Sequence, residues 1–268
     1  MTGSGLYDSS KGVTVHLIEV NAVYVLIARD FKKFVREKGR LVSTLARPLI
    51  WLFLVGGGMS RLVSPGTGIS YIQFIFPGIL GMTILFSSIF SSISIIWDKE
   101  FGLMKEILVA PVSRFSIVVG KSLSGTIISV IQATIILMLF PFLGIKLSLS
   151  SIPFTILIAF MLSFCISSLG IIIAAFFENL ESFSSIMNFI VMPMFFLSGA
   201  MYPVKDLPYI LKLISKLNPL TFGIDALKHS IFRDPMVSDF SLMTDIIFLV
   251  LSSIVFVAVA GFLFEKKK

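Results

Sequence analysis

Residues 62–97, LVSPGTGISYIQFIFPGILGMTILFSSIFSSISIIW, run for 36 positions without an Asp, Glu, Lys or Arg. Ser64-Pro65-Gly66-Thr67-Gly68 reads as a loop, so the helix occupies about residues 74–97. At about 1.5 Å per residue that is enough to cross a bilayer. Charge-free runs locate membrane spans because an unpaired charge at bilayer depth costs on the order of several kcal/mol. Residues 122–145, 147–177, 182–204 and 246–264 are bare in the same way. Each accommodates one helix.

The rest of the chain fits this solvent. Of 268 residues, 56% are hydrophobic, 14% are charged and 27 are Phe, whereas a soluble domain carries about a quarter charged residues. A sixth span is placed at residues 46–62, with Arg47 snorkelling to the headgroups and Pro48 in the first turn. The expected fold is all-α and polytopic: a cytoplasmic N-terminus with an amphipathic interface helix over 1–40, then a six-span domain over 41–268. The spans are expected at about 46–62, 74–97, 116–143, 151–176, 183–201 and 242–263. With both termini inside, fifteen of the 22 Lys and Arg lie on the inner side and seven outside. Dropping the first span would put a basic terminus on the wrong side.

The net charge of +7 therefore reads as loop charge rather than a nucleic-acid surface, since no aromatic-interleaved basic patch lies outside the apolar segments. The one cysteine, Cys165, cannot form an intramolecular disulfide. Residues 1–14 are polar with no short apolar run and cleavage site after them, so no signal peptide is expected.

The connections carry the remaining pattern. Over residues 15–40, Val20, Val23, Ile27, Phe31 and Phe34 recur at three and four, with Glu19, Asp30, Lys33, Arg36 and Glu37 between them. This predicts a helix in the membrane interface or on a protein surface. After Trp97-Asp98-Lys99-Glu100, a short stripe of Leu103, Met104, Ile107 and Leu108 beside Lys105 and Glu106 ends at Pro111. It suits a partner's groove or the headgroups. Glu178 and Glu181 mark a tight turn and a second candidate contact. In the long outer loop, Asp206 is expected to cap a helix with Leu207, Ile210, Leu211, Ile214 and Leu217 on one face. Thr221 is expected to cap a second with Phe222, Ile224, Leu227 and Ile231. These two helices either dip into the membrane edge or lie flat on it.

Catalytic chemistry is not legible. Gly120-Lys121-Ser122 ends like a phosphate loop, but its first Gly would fall on Phe115. His16 and His229 are far apart, and no His-x-x-x-His pair, Gly-x-Ser-x-Gly elbow or paired carboxylates occur. No catalytic residue, cofactor site or metal site is expected, and an intramembrane enzyme is a remote alternative. A secondary carrier needs a mid-span acid or base, and Gly56-Gly57-Gly58 has no inverted counterpart. A channel would have only Gln132 and Asn188 as buried amides. A carrier or channel is thus the second reading, behind a transporter body whose motor is another polypeptide.

The run Phe76-Pro77-Gly78, then Trp97-Asp98-Lys99-Glu100-Phe101-Gly102, then Glu106-Ile107-Leu108-Val109-Ala110-Pro111-Val112-Ser113 resembles the membrane subunit of type-2 ABC exporters. Phe196-Leu197-Ser198-Gly199-Ala200-Met201-Tyr202-Pro203 followed by Leu217-Asn218-Pro219-Leu220-Thr221 extends the resemblance over nearly the whole chain. Arg47-Pro48 is more similar to the drug and nodulation-factor branch than to the polysaccharide branch. The resemblance implies a permease that exports a hydrophobic or amphipathic substrate, such as a drug, lipid or lipid-linked glycan. It implies a homodimer in the plasma membrane with two ATPase subunits, which hold the ATP and Mg, and lipids around it, with no nucleic acid.

The same resemblance assigns residues. Trp97, Asp98, Glu100, Leu103, Met104, Glu106, Ile107, Leu108 and Pro111 would couple to the ATPase, with Glu178 and Glu181 as the second contact. Leu207, Ile210, Ile214 and Phe222 would belong to re-entrant outer helices. For the pathway, Ser87, Ser91 and Ser94 of span two and Met187, Asn188 and Met192 of span five are expected to line the dimer interface. The direction of transport rests on the resemblance alone.

Overall fold

The computed structural model describes residues 19–60, 70–102, 112–145, 147–232 and 237–266. Among these the regular structure is helical throughout: α1 (Val20–Arg36), α2 (Lys38–Trp51), α3 (Tyr71–Ser91), α4 (Ile93–Glu100), α5 (Arg114–Leu137), α6 (Ile152–Phe176), α7 (Leu180–Phe196), α8 (Tyr209–Ser215), α9 (Pro219–Phe232) and α10 (Leu242–Lys266). Five segments are long and apolar enough to cross a membrane: Val42–Met59, Tyr71–Glu100, Arg114–Leu137, Leu149–Phe176 and Leu242–Glu265. The chain is an all-α, multi-pass membrane protein. The segment expected at 183–201 is the shorter helix α7, of 17 residues, which ends before a turn at Leu197 to Ala200.

The first span differs from expectation at its start. Helix α2 begins at Lys38, one residue after α1 ends, so Pro48 sits inside the helix rather than in its first turn. A proline there removes an i→i−4 bond, and a π-turn over Leu52–Gly56 follows within the next turn before the helix closes at Gly57–Met59. Arg47 is exposed and lays its guanidinium over the Phe86 ring at 4.4 Å.

Helices α3, α5 and α6 pack together as the core, and small polar side chains allow their close approach. Ser88 and Ser129 share a 2.9 Å hydrogen bond, Ser168 donates to Ser122 at 3.1 Å, and Gly125 faces the hydroxyls of Ser91 and Ser167. The serines of span two serve this packing.

Helix α1 also turns differently from the expected face. Its buried positions are Val23, Leu26, Asp30 and Phe34, against α5, while Val20, Tyr24 and Val35 are exposed. Among the described residues nothing covers the neighbouring apolar stripe.

The two helices of the long loop separate. Pro208 holds an extended backbone, so Asp206 falls in a 3₁₀ turn and α8 starts at Tyr209 without a side-chain cap. Tyr209, Ile210, Leu213 and Ile214 of α8 are exposed. Helix α9 is sunk into the bundle, where every residue except His229 and Phe232 is buried. Its cap is Asn218, not Thr221: the Asn218 side chain accepts from Leu220 N at 3.0 Å and donates to Met194 O at 2.7 Å, and Pro219 takes the first helical position. Two glycines permit this depth, since a Cβ on Gly81 would collide with Ile224 and one on Gly223 with Leu162.

Candidate functional site: the charged end of the bundle

The end of the bundle formed by α1, α4, the start of α5, the end of α6 and the start of α7 buries Asp30, Asp98 and Lys121 together. Asp98, at the foot of the second span, accepts from Arg29 Nη2 at 2.7 Å and from Lys121 Nζ at 2.8 Å. Lys121 also donates to Asp30 Oδ2 at 3.0 Å and Ser94 Oγ at 3.1 Å. Asp30, Asp98 and Lys121 are buried. Two cations thus face two anions, each with charge-assisted hydrogen bonds, which offsets the cost of removing them from water. Burial pulls the Arg29 guanidinium toward a lower pKa, but the carboxylates of Asp98 and Asp30 outweigh it and hold it above its ordinary value.

The lattice joins three helices. Arg29 and Asp30 are on α1, Ser94 and Asp98 on α4, and Lys121 on α5. A further hydrogen bond runs from Glu19 N to Ser116 Oγ at 2.7 Å, beside the Ser113 cap of α5. Lys33 lies over the Trp97 ring at 3.7 Å; burial lowers its pKa, partly opposed by Glu37 and Asp98. Helix α1 is therefore tied to the foot of the second span and cannot shift alone.

Lys99 adds a second tie. Its ammonium donates to the carbonyls of Ala174, Ala175 and Phe177 at 2.7, 3.2 and 2.9 Å. These carbonyls at the end of α6 lack helical partners, and a cation there also meets the helix dipole. The end of α4 is thus joined to the end of α6 beside Glu178 and Glu181, and both acids are exposed. Replacing Lys99 by Met keeps the apolar stem and removes the donors. Lys99→Met is expected to loosen this junction by roughly 1.5–3 kcal/mol, read as faster hydrogen exchange at residues 174–179. Unchanged exchange would contradict the tie.

The expected coupling residues therefore divide. Glu100 and Phe101 are exposed at the end of α4. Asp98 points inward, where Arg29 and Lys121 satisfy it within the chain. Trp97 is half-buried under Lys33. Leu103, Met104, Glu106, Ile107, Leu108 and Pro111 lie outside the described residues. Lys121, set aside in the sequence as part of an accidental phosphate-loop ending, is the hub of the lattice. Its signal was a lone cation seven residues into an apolar helix, which demands a buried partner.

The expected pathway residues do not share a surface. Ser87 and Ser94 are buried within the bundle, and Ser91 donates to Ser88 O at 2.6 Å. Met187 is buried and Met192 half-buried, while Asn188 is exposed and donates to Ser184 O at 3.1 Å. Neighbouring helices of the same chain occupy the face of span two that the serines mark. A cavity of about 290 Å³ lies instead between α2, α3, α4 and α7, with Arg47, Ser43, Thr44 and Ser184 beside Phe86, Phe90 and Trp97. One cation and three hydroxyls against three aromatic rings suit an amphiphile. Of the outer residues, Phe222 is buried and stacks on Phe248 with ring centroids 3.9 Å apart, Leu207 is half-buried, and Ile210 and Ile214 are exposed.

Sequence reading also missed a cluster at the opposite end. Asp225 and His229 of α9 meet Asp245 of α10, with ligating atoms all within 4.8 Å of one another. The i, i+4 spacing of Asp225 and His229 was a legible signal, whereas Asp245 joins them only through the fold.

The chain resembles known proteins over most of its length. It is 32% identical over 225 residues to a protein of Cyanophora paradoxa named transport permease ycf38, covering 82% of this chain and 77% of that one. It is 28% identical over 207 residues to nodulation protein J of Rhizobium meliloti, covering 74% and 76%. Residues 21–232 match the ABC-2 type transporter family, a stretch that runs from the charged helix α1 through the buried helix α9, and the chain belongs to that family.

Proposed function

We propose that this chain is the transmembrane permease subunit of an ATP-driven exporter that moves a hydrophobic or amphipathic substrate out of the cytoplasm. It works as two copies with two separate ATPase subunits in the plasma membrane, both termini cytoplasmic. The family membership supports the transport role, and the Arg29–Asp98–Lys121–Asp30 lattice carries the mechanical part. A motor bound at the charged end, at Glu100, the segment after it and the Glu178–Glu181 turn, would move α4. The lattice would pass that displacement to α1 and α5 as one body, because separating its members strands charge in a dry site. The chain's own part is binding and movement, and the ATP and Mg belong to the partner.

The cavity at the same end supports the substrate class. Its aromatic wall takes an apolar body, and Arg47 with the hydroxyls takes a polar or anionic head. Exposed apolar side chains on α2 and the π-turn after it (Ile50, Phe53, Leu54) and on α7 (Ile186, Phe189) would supply the surface for a second copy or for lipid.

Two outcomes test the reading. The ATPase subunit is expected to co-purify with the chain. Replacing Glu100 by Lys, or Leu103 together with Ile107 by Asp, is expected to abolish substrate efflux at least tenfold while the subunit stays folded. Normal transport by those variants would remove the coupling assignment.

A further inference from the structure

The cluster at the far end of the bundle is built on a pairing of helices unrelated to the charged lattice. Asp225 of α9 accepts from Asp239 N through Oδ1 and from Phe240 N through Oδ2, both at 2.8 Å. These bonds fix the carboxylate and leave a lone pair on each oxygen. One helical turn on, His229 Nε2 stands 3.9 Å from Asp225 Oδ2, 3.9 Å from Asp245 Oδ2 and 2.9 Å from the Phe240 carbonyl oxygen. Its Nδ1 lies 3.3 Å from Ser238 Oγ, an outer contact that leaves Nε2 toward the carboxylates.

Two observations set this apart from an ordinary polar cluster. Asp245 is fully buried, and among the described residues both of its carboxylate oxygens lack a hydrogen-bond partner. A buried carboxylate without a partner is expensive in any protein. The local charge is also unbalanced among the described residues. The side chains of Asp225, Asp239 and Asp245 are buried beside one buried cation, Lys228, whose Nζ lies 3.4 Å from Asp239 Oδ2 and 3.9 Å from Asp225 Oδ1. With all three carboxylates ionised, that leaves two negative charges in excess of Lys228.

The geometry points to a divalent metal site formed by Asp225, His229 and Asp245, with the Phe240 carbonyl as a fourth donor. An imidazole nitrogen beside carboxylate oxygens selects a borderline first-row cation of the Zn²⁺ class over Mg²⁺ or Ca²⁺. Such an ion holds its ligands at about 2.0–2.2 Å in a tetrahedral set, which puts neighbouring ligand atoms roughly 3.3–3.6 Å apart. His229 Nε2 stands 3.9 Å from a carboxylate oxygen of Asp225 and of Asp245, and all three ligand atoms lie within 4.8 Å of one another, so side-chain rotation must draw the ligands in by up to about 1 Å to seat the ion. The ion would cancel the two excess charges, give Asp245 a partner, and pin the sunken helix α9 to the first turn of α10. His229, which is 18% exposed, is the route by which it enters.

The test uses the full chain, purified in detergent without a histidine tag and with His16→Asn to remove the other histidine. After chelation, the protein is dialysed against ZnCl₂, and metal content and Tm are measured. The site predicts about one retained equivalent and a rise in Tm that chelator reverses. Co²⁺ in its place should give visible d–d bands. His229→Gln and Asp245→Asn should each lower retained metal at least tenfold and abolish the Tm response. Should Asp245→Asn fail to fold, His229→Gln decides alone. The proposal is overturned if the parent retains no metal above background, or if His229→Gln retains as much as the parent. A folded Asp245→Asn at least as stable as the metal-treated parent would overturn it too, and show that Asp245 is simply held as its neutral acid.

Discussion

Asp98→Ala is expected to cost the protein about 3–5 kcal/mol of stability, because it leaves a buried charge without its partner. With Asp98 gone, Arg29 and Lys121 face Asp30 alone, and one positive charge is stranded where Lys121 is buried. Thermal unfolding in detergent should show a large fall in Tm, and efflux should fall with it. The informative comparison is the pair Asp98→Asn with Lys121→Met, which removes one charge of each sign and leaves Arg29 facing Asp30. The pair should recover at least half of the lost stability, since removing both members of a buried ion pair is far milder than removing one. A pair that remains as unstable as the single variant would show that Asp98 matters for some reason other than charge balance. Efflux need not return with stability. A pair that is stable but does not transport would separate the lattice's structural role from its role in transmitting movement.

Gly78→Val is expected to be nearly as severe, for a steric reason. A Cβ at position 78 would stand 2.7 Å from Ala200 Cα and 2.8 Å from Ala200 Cβ, and would overlap the Ala200 carbonyl. Overpacking in a core costs about 1–3 kcal/mol when side chains can rearrange. Here the obstacle is backbone, so the turn that links α7 to α8 must move away from α3, and the cost should exceed about 3 kcal/mol. Loss of folded protein on size exclusion, or a large fall in Tm, reads it. Gly57→Ala is the matched control, because a Cβ there meets nothing within 4 Å. It should leave Tm unchanged or raise it slightly, as alanine is the better helix former. Equal behaviour of the two variants would refute the close approach at Gly78.

Five of the expected spans were legible because hydrocarbon imposes one strong rule, which residues 62–97 obey without exception. The segment expected at 183–201 is instead the shorter helix α7. The first span was legible in existence but not in its start. The sequence shows Pro48 but not that α2 begins ten residues before it, since a π-turn over Leu52–Gly56 follows it. The serines of span two were ambiguous for a different reason. Ser87, Ser91 and Ser94 share a helix face whether that face lines a pathway or packs on α5 and α6, and only the positions of those helices decide. Periodicity placed Asp30 among the polar positions of α1, yet it is buried, because its partner Lys121 lies 91 residues away. The same limit hid Asp245. Local pattern identifies a residue's helix, but a buried charge takes its meaning from a partner that sequence distance conceals. Helix α9 shows this most fully: four apolar residues indicated one buried face, whereas Asp225 and Lys228 are buried on it as well.

Whether a separate ATPase moves this permease from its charged end, as proposed, is decided most directly by reconstituting the chain in lipid vesicles with and without that subunit, with a fluorescent amphiphile as the reporter. Substrate should be transported only when the ATPase and hydrolysable ATP are both present, and an imposed proton or sodium gradient should not replace them. Gradient-driven transport by the permease alone would contradict the account and establish a secondary carrier instead.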